Sequence, residues 1–71
     1  MATLRKRSVQ LSGHATSIAL EPEFWAALEH EARKQGLALA ALVGRVDSGR
    51  GERNLASALR LHALSCAAAK A

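Results

Sequence analysis

Thr16-Ser17-Ile18-Ala19-Leu20-Glu21-Pro22-Glu23-Phe24-Trp25 decides the fold, because its hydrophobic period changes in the middle. Up to Leu20 the pattern alternates. Thr16, Ile18 and Leu20 project to one face and Ser17 and Ala19 to the other, as in a half-buried strand. From Pro22 onward the period is helical. Pro22 suits a first helical turn, where its missing N–H is not needed. Glu21 and Glu23 at this end, with Arg33 and Lys34 at the other, complement the helix dipole, and Gly36 supplies a stop. The spacing predicts a strand over 16–20 and a helix over 22–35. The inner stripe of that helix is Phe24, Ala27, Leu28 and Ala32, and Trp25 borders it in a packing role.

Upstream, Val9 and Leu11 alternate with Ser8, Gln10 and Ser12, but on odd numbers, whereas Ile18 and Leu20 are even. A continuous strand cannot exchange faces without an extra residue, so Gly13 marks a bulge or turn. On this reading residues 1–12 form a basic arm, either an extra strand or disordered, and the strand proper follows it. Downstream, Leu39, Leu42, Val43 and Val46 stand at i, i+3, i+4 and i+7, which predicts a second helix over 38–47. Ser48 to Arg53 breaks it, and Asn54 caps a third helical segment. There Leu55, Ala58, Leu59, His62 and Cys66 form one stripe and Leu61 and Leu64 another, so burial is expected on two sides. The domain is placed at 13–66, followed by an alanine-rich tail at 67–71.

The chain has 71 residues, 49% of them hydrophobic, which is one domain at most and too little for a deep cleft. Cys66 stands alone, which excludes an internal disulfide framework and fits a reducing, cytoplasmic setting. No stretch reads as a signal peptide, and the longest apolar run, Leu37 to Val43, is far short of the roughly 20 residues a membrane span requires. Net charge is +4, and it is polarised. Residues 1–20 carry Arg5, Lys6 and Arg7 with no acid, whereas Glu21, Glu23, Glu29 and Glu31 crowd the next segment. A basic beginning of this kind favours a polyanion as partner.

A lone strand leaves its backbone N–H and C=O groups unpaired, which is costly. It is therefore expected to pair antiparallel with the same strand of a second copy, making a ribbon that fits the DNA major groove. At this point the sequence resembles the ribbon-helix-helix family of bacterial and phage DNA-binding proteins, the family of the Arc and methionine repressors. It is most similar to a small bacterial subfamily. The residues that carry the likeness are Lys6-Arg7-Ser8-Val9, Gly13-His14-Ala15-Thr16-Ser17-Ile18 and Leu20-Glu21-Pro22-Glu23-Phe24-Trp25, continued by Gly36 to Val43 and Asn54 to Arg60.

The resemblance implies a mainly α fold. One short N-terminal strand is shared across an intertwined homodimer, and two to three helices follow. It implies a double-stranded DNA-binding transcriptional regulator with base-facing residues Ala15, Ser17 and Ala19 and a phosphate clamp of backbone amides over Leu37, Ala38 and Leu39. Arg5, Lys6, Arg7 and His14 complete the expected DNA-binding set. The expected dimer core is Thr16, Ile18, Leu20, Phe24, Leu28, Leu42, Val43, Val46, Leu55 and Leu59.

Two features depart from the family's pattern. Of the outward positions only Ser17 can hydrogen-bond a base edge, and Ala38 replaces a capping Ser, so sequence discrimination is expected to be modest.

The rival reading is a dimeric protein-interaction module that docks an unidentified partner through Trp25 and the acidic first helix. Enzymatic readings find no nucleophile–base order, paired carboxylates or phosphate loop, so no catalysis, cofactor or membrane partner is expected. His62 and Cys66 lie four apart on a helical face, but two ligands do not make a metal site. Gly49-Arg50-Gly51 is read as a connector.

Overall fold

A computed structural model describes residues 3–69, which form, in order, β1 (Arg5–Leu11), β2 (His14–Leu20), α1 (Pro22–Gln35), α2 (Leu39–Gly49) and α3 (Leu55–Ala69). β1 and β2 pair antiparallel as one hairpin, from Arg5↔Leu20 at the open end to Leu11↔His14 at the tip. Ser12 and Gly13 connect them with φ of 50° and 82°. Two successive positive φ angles match the two-residue turn whose twist suits a hairpin, and Gly13 adopts its angle without side-chain strain.

This corrects the expected partner of the 16–20 strand. Its mate is β1 of the same chain, and the backbone groups that called for a second molecule are satisfied internally. From Arg5 onward the basic arm takes the extra-strand alternative and forms half of the ribbon. Residues 1–2 of the arm and 70–71 of the tail lie outside the described residues, while 67–69 continue α3.

The inner ribbon face contributes Val9, Ile18 and Leu20 to the core, which Trp25, Leu28, Ala32, Leu42, Val43, Leu59 and Ala63 complete. Burying each large aliphatic side chain is worth roughly 1.5–3 kcal/mol. Of the residues expected in a dimer core, Ile18, Leu20, Leu28, Leu42, Val43 and Leu59 are buried within this one chain, and Thr16, Phe24, Val46 and Leu55 are half-buried. The α1 stripe is rotated from its expected position. Trp25 is a core residue and Ala27 is exposed.

The helix ends follow local chemistry. Gly36 closes α1 at φ 70°, and its amide and that of Leu37 bond back to Arg33 and Ala32 carbonyls. Asn54 Oδ1 accepts the Ser57 amide at 3.2 Å, the N-cap bond expected for α3. At the connector, Arg50 holds Asp47 at 2.7 Å and the Arg53 carbonyl at 2.6 Å.

Candidate nucleic-acid interface

A hairpin has two faces, and here they differ sharply. Val9, Leu11, Thr16, Ile18 and Leu20 turn toward the helices. The other face presents Lys6, Ser8 and Gln10 from β1 and Ala15, Ser17 and Ala19 from β2. The register sets them in three opposed pairs: Lys6↔Ala19, Ser8↔Ser17 and Gln10↔Ala15. Five of the six are exposed and Ala19 is half-buried. Among the described residues, no ion pair or side-chain hydrogen bond engages Lys6, Ser8 or Gln10.

The three basic residues of the arm therefore separate. Lys6 points outward, whereas Arg7 lies on the helix side, 3.0 Å from Glu29 Oε2 and with its guanidinium carbon 5.0 Å from the Trp25 ring centroid. Arg5 is exposed at the open end, where its main-chain carbonyl accepts a 2.8 Å hydrogen bond from Trp25 Nε1. Arg7 and Trp25 thus fasten β1 to α1.

His14 is exposed at the hairpin tip. With Thr16, Asp47 and Arg50 it lines a hollow of ≈ 450 Å³ beneath the turn.

The segment expected to clamp a phosphate, 37–39, spans the entry to α2. The Leu37 amide is already committed to the Ala32 carbonyl at 2.8 Å. Ala38 is the N-cap of α2, in an extended conformation and without a side-chain cap bond. The first-turn amides of Leu39 and Ala40 have no intrahelical acceptor, as at any helix start, and the positive end of the helix dipole lies there. An anion at this end would meet Leu39 and Ala40 rather than Leu37. Because neither carries a polar side chain, the sequence signal for Ala40 was absent.

At the ribbon–α1 junction Glu21 accepts a 2.9 Å hydrogen bond from Arg60 Nε, and the Arg60 guanidinium lies over Phe24. A backbone hydrogen bond at Glu21, followed by the Arg60 contact, holds its carboxyl below the ordinary value of 4.5. Trp25, the anchor of the rival docking reading, is 3% exposed and offers no surface to a partner. Exposed apolar side chains occur instead at Leu61 and Leu64 of α3, 45% and 58% accessible. His62 Nε2 and Cys66 Sγ approach to 3.5 Å, and no group of three metal-ligating side chains forms among the described residues. No helix among them is long and apolar enough to cross a membrane.

A two-stranded ribbon with one face packed on helices and the other exposed is an architecture that β-ribbon readers of DNA use. Comparison by sequence agrees: the profile described as "Ribbon-helix-helix domain" matches residues 4–67, and the chain belongs to that family, one of DNA-binding transcription regulators in general. No curated protein and no solved structure gave a significant match.

Proposed function

We propose that the protein is a transcriptional regulator that lays the outer face of its hairpin in the major groove of double-stranded DNA. The observation that carries this reading is the division of the ribbon, with one face packed on the helices and the other holding Lys6, Ser8 and Gln10, which have no ion pair or side-chain hydrogen bond among the described residues, beside Ala15, Ser17 and Ala19. Such a ribbon fits the groove. Net charge of +4 favours the polyanion, and the first amides of α2 suit a backbone phosphate. The assembly is a homodimer, a state supported by Leu61 and Leu64, whose exposed side chains give a second copy an apolar surface to cover.

Titration into duplex DNA at several salt concentrations tests the reading. Binding with log K falling linearly against log salt is the expected result. No binding near about 50 mM salt, or a flat dependence, would refute it.

A further inference from the structure

The geometry points to the hollow beneath the hairpin turn as a binding site for a small zwitterion of the α-amino-acid class. At ≈ 450 Å³ the hollow has the size of a small-molecule site, and three segments distant in sequence wall it: the hairpin tip, the end of α2 and the start of α3. None of the outer-face residues Lys6, Ser8, Gln10, Ala15, Ser17 and Ala19 lines it, so the site is separate from the surface offered to DNA.

Its charge is the informative feature. Arg50 Nε donates to Asp47 Oδ1 at 2.7 Å, and Arg50 Nη1 donates to the Arg53 carbonyl. Among the described residues no hydrogen bond reaches Asp47 Oδ2 or Arg50 Nη2. The Asp47 and Arg50 side chains are 34% and 32% exposed, so the hollow presents a spare acceptor and a spare donor of opposite charge, side by side. A simple anion would gain the guanidinium but meet the carboxylate beside it, and a simple cation would meet the reverse. A molecule with an ammonium and a carboxylate on one carbon matches both at once, each through a charge-assisted hydrogen bond.

The rest of the lining receives the ligand's side chain. Leu11 and Leu55 are half-buried and give it an apolar wall. Ser12, His14 and Thr16 add two hydroxyls and an imidazole, none with a side-chain hydrogen bond among the described residues. Asn54 is already engaged as the cap of α3. The site therefore suits a free α-amino acid whose side chain is aliphatic or ends in one polar group. A ligand held there joins the hairpin tip to the connector between α2 and α3.

Amide chemical-shift titration of the full labelled chain with the standard amino acids, one at a time and without DNA, tests the assignment. At least one should give saturable shifts at Asp47, Arg50 and residues 12–14, with a Kd below about 10 mM. Its N-acetyl form keeps only the carboxylate and its methyl ester only the ammonium, and each should bind at least about tenfold more weakly. Asp47→Asn keeps the side chain's shape and removes its charge. It should weaken the free amino acid at least about tenfold, with a thermal melt to check that the variant is folded. If that variant does not fold, the two analogues on the wild type decide alone. No saturable shift with any amino acid up to about 10 mM, shifts confined to other parts of the chain, or equal binding by either analogue or by folded Asp47→Asn would overturn the assignment. The DNA-binding reading would stand in each of those cases, because no outer-face residue takes part.

Discussion

Trp25 Nε1 donates a 2.8 Å hydrogen bond to the main-chain carbonyl of Arg5, linking the first helix to the outer strand of the ribbon. Because the ring is buried, this bond and the ring's packing fix where β1 lies. Trp25→Phe keeps most of the packing and deletes the donor. It should destabilise the chain by about 1 kcal/mol. Trp25→Ala should destabilise it by about 3–5 kcal/mol, enough to unfold a domain this small. Urea denaturation of the two variants checks the ordering.

Arg7 and Lys6 are neighbours in sequence with different duties. Arg7 reaches Glu29 across a half-exposed ion pair, and such pairs contribute at most about 1 kcal/mol, so Glu29→Gln should be nearly silent in urea denaturation. Arg7→Ala also removes the stack on Trp25 and should destabilise by about 1–2 kcal/mol. Lys6→Ala should leave stability within about 0.5 kcal/mol and weaken DNA binding. Unfolding and duplex titration on the same three proteins separate the roles.

The hairpin depends on its turn. A Cβ at Gly13 would meet no atom within 4 Å, so Gly13→Ala is penalised by its φ of 82° alone, by about 1–2 kcal/mol. Ser12, at φ 50°, holds a conformation that asparagine tolerates better, and Ser12→Asn should stabilise the protein slightly. Thermal melts of both variants should move in opposite directions.

These contacts also explain what the sequence made legible. The Pro22 entry and Gly36 stop placed α1 at its observed bounds, because both residues act through their own backbone. The hairpin was half visible. In a two-residue turn that pairs Leu11 with His14, residues sharing a face have opposite parity on the two strands, so odd-numbered Val9 and even-numbered Ile18 both point inward. The exchange of phase at Gly13 was the sign of a hairpin; the turn and an extra strand before it were read, but the pairing of the 16–20 strand was assigned to a second copy. That Ser8 and Gln10 share the outward face with Lys6 follows from the pairing of β1 with β2, and Arg7 was grouped with Lys6 because composition does not reveal which face a charge takes. Trp25 was placed at the border of its stripe because the bond to Arg5 depends on a strand the helical period does not register.

Glu21 sets a pH dependence. Its carboxyl is held below the ordinary 4.5, first by a backbone hydrogen bond and then by Arg60, so its folded value is depressed. The stability it contributes is present above the unfolded pKa and is lost as pH falls through the folded one. The urea midpoint should therefore drop as pH is lowered below about 4.5, and Glu21→Gln should flatten that part of the profile. An unchanged profile in the variant would remove Glu21 as the cause.

The proposed dimer rests on the exposed side chains of Leu61 and Leu64. Sedimentation equilibrium should give twice the 7.5 kDa chain mass for the wild type. The Leu61→Glu, Leu64→Glu double variant should sediment as a folded monomer, since both side chains are exposed in the single chain. A folded wild-type monomer at all concentrations would remove the dimer but not the ribbon, whose strands pair within one molecule.

Amide chemical-shift mapping of the labelled protein with a bound duplex tests the central claim most directly. The account predicts that the largest changes fall at Lys6, Ser8, Gln10, Ala15 and Ser17, with a second group at Leu39 and Ala40. Changes confined to the outer faces of α1 and α3, with the ribbon unaffected, would contradict it.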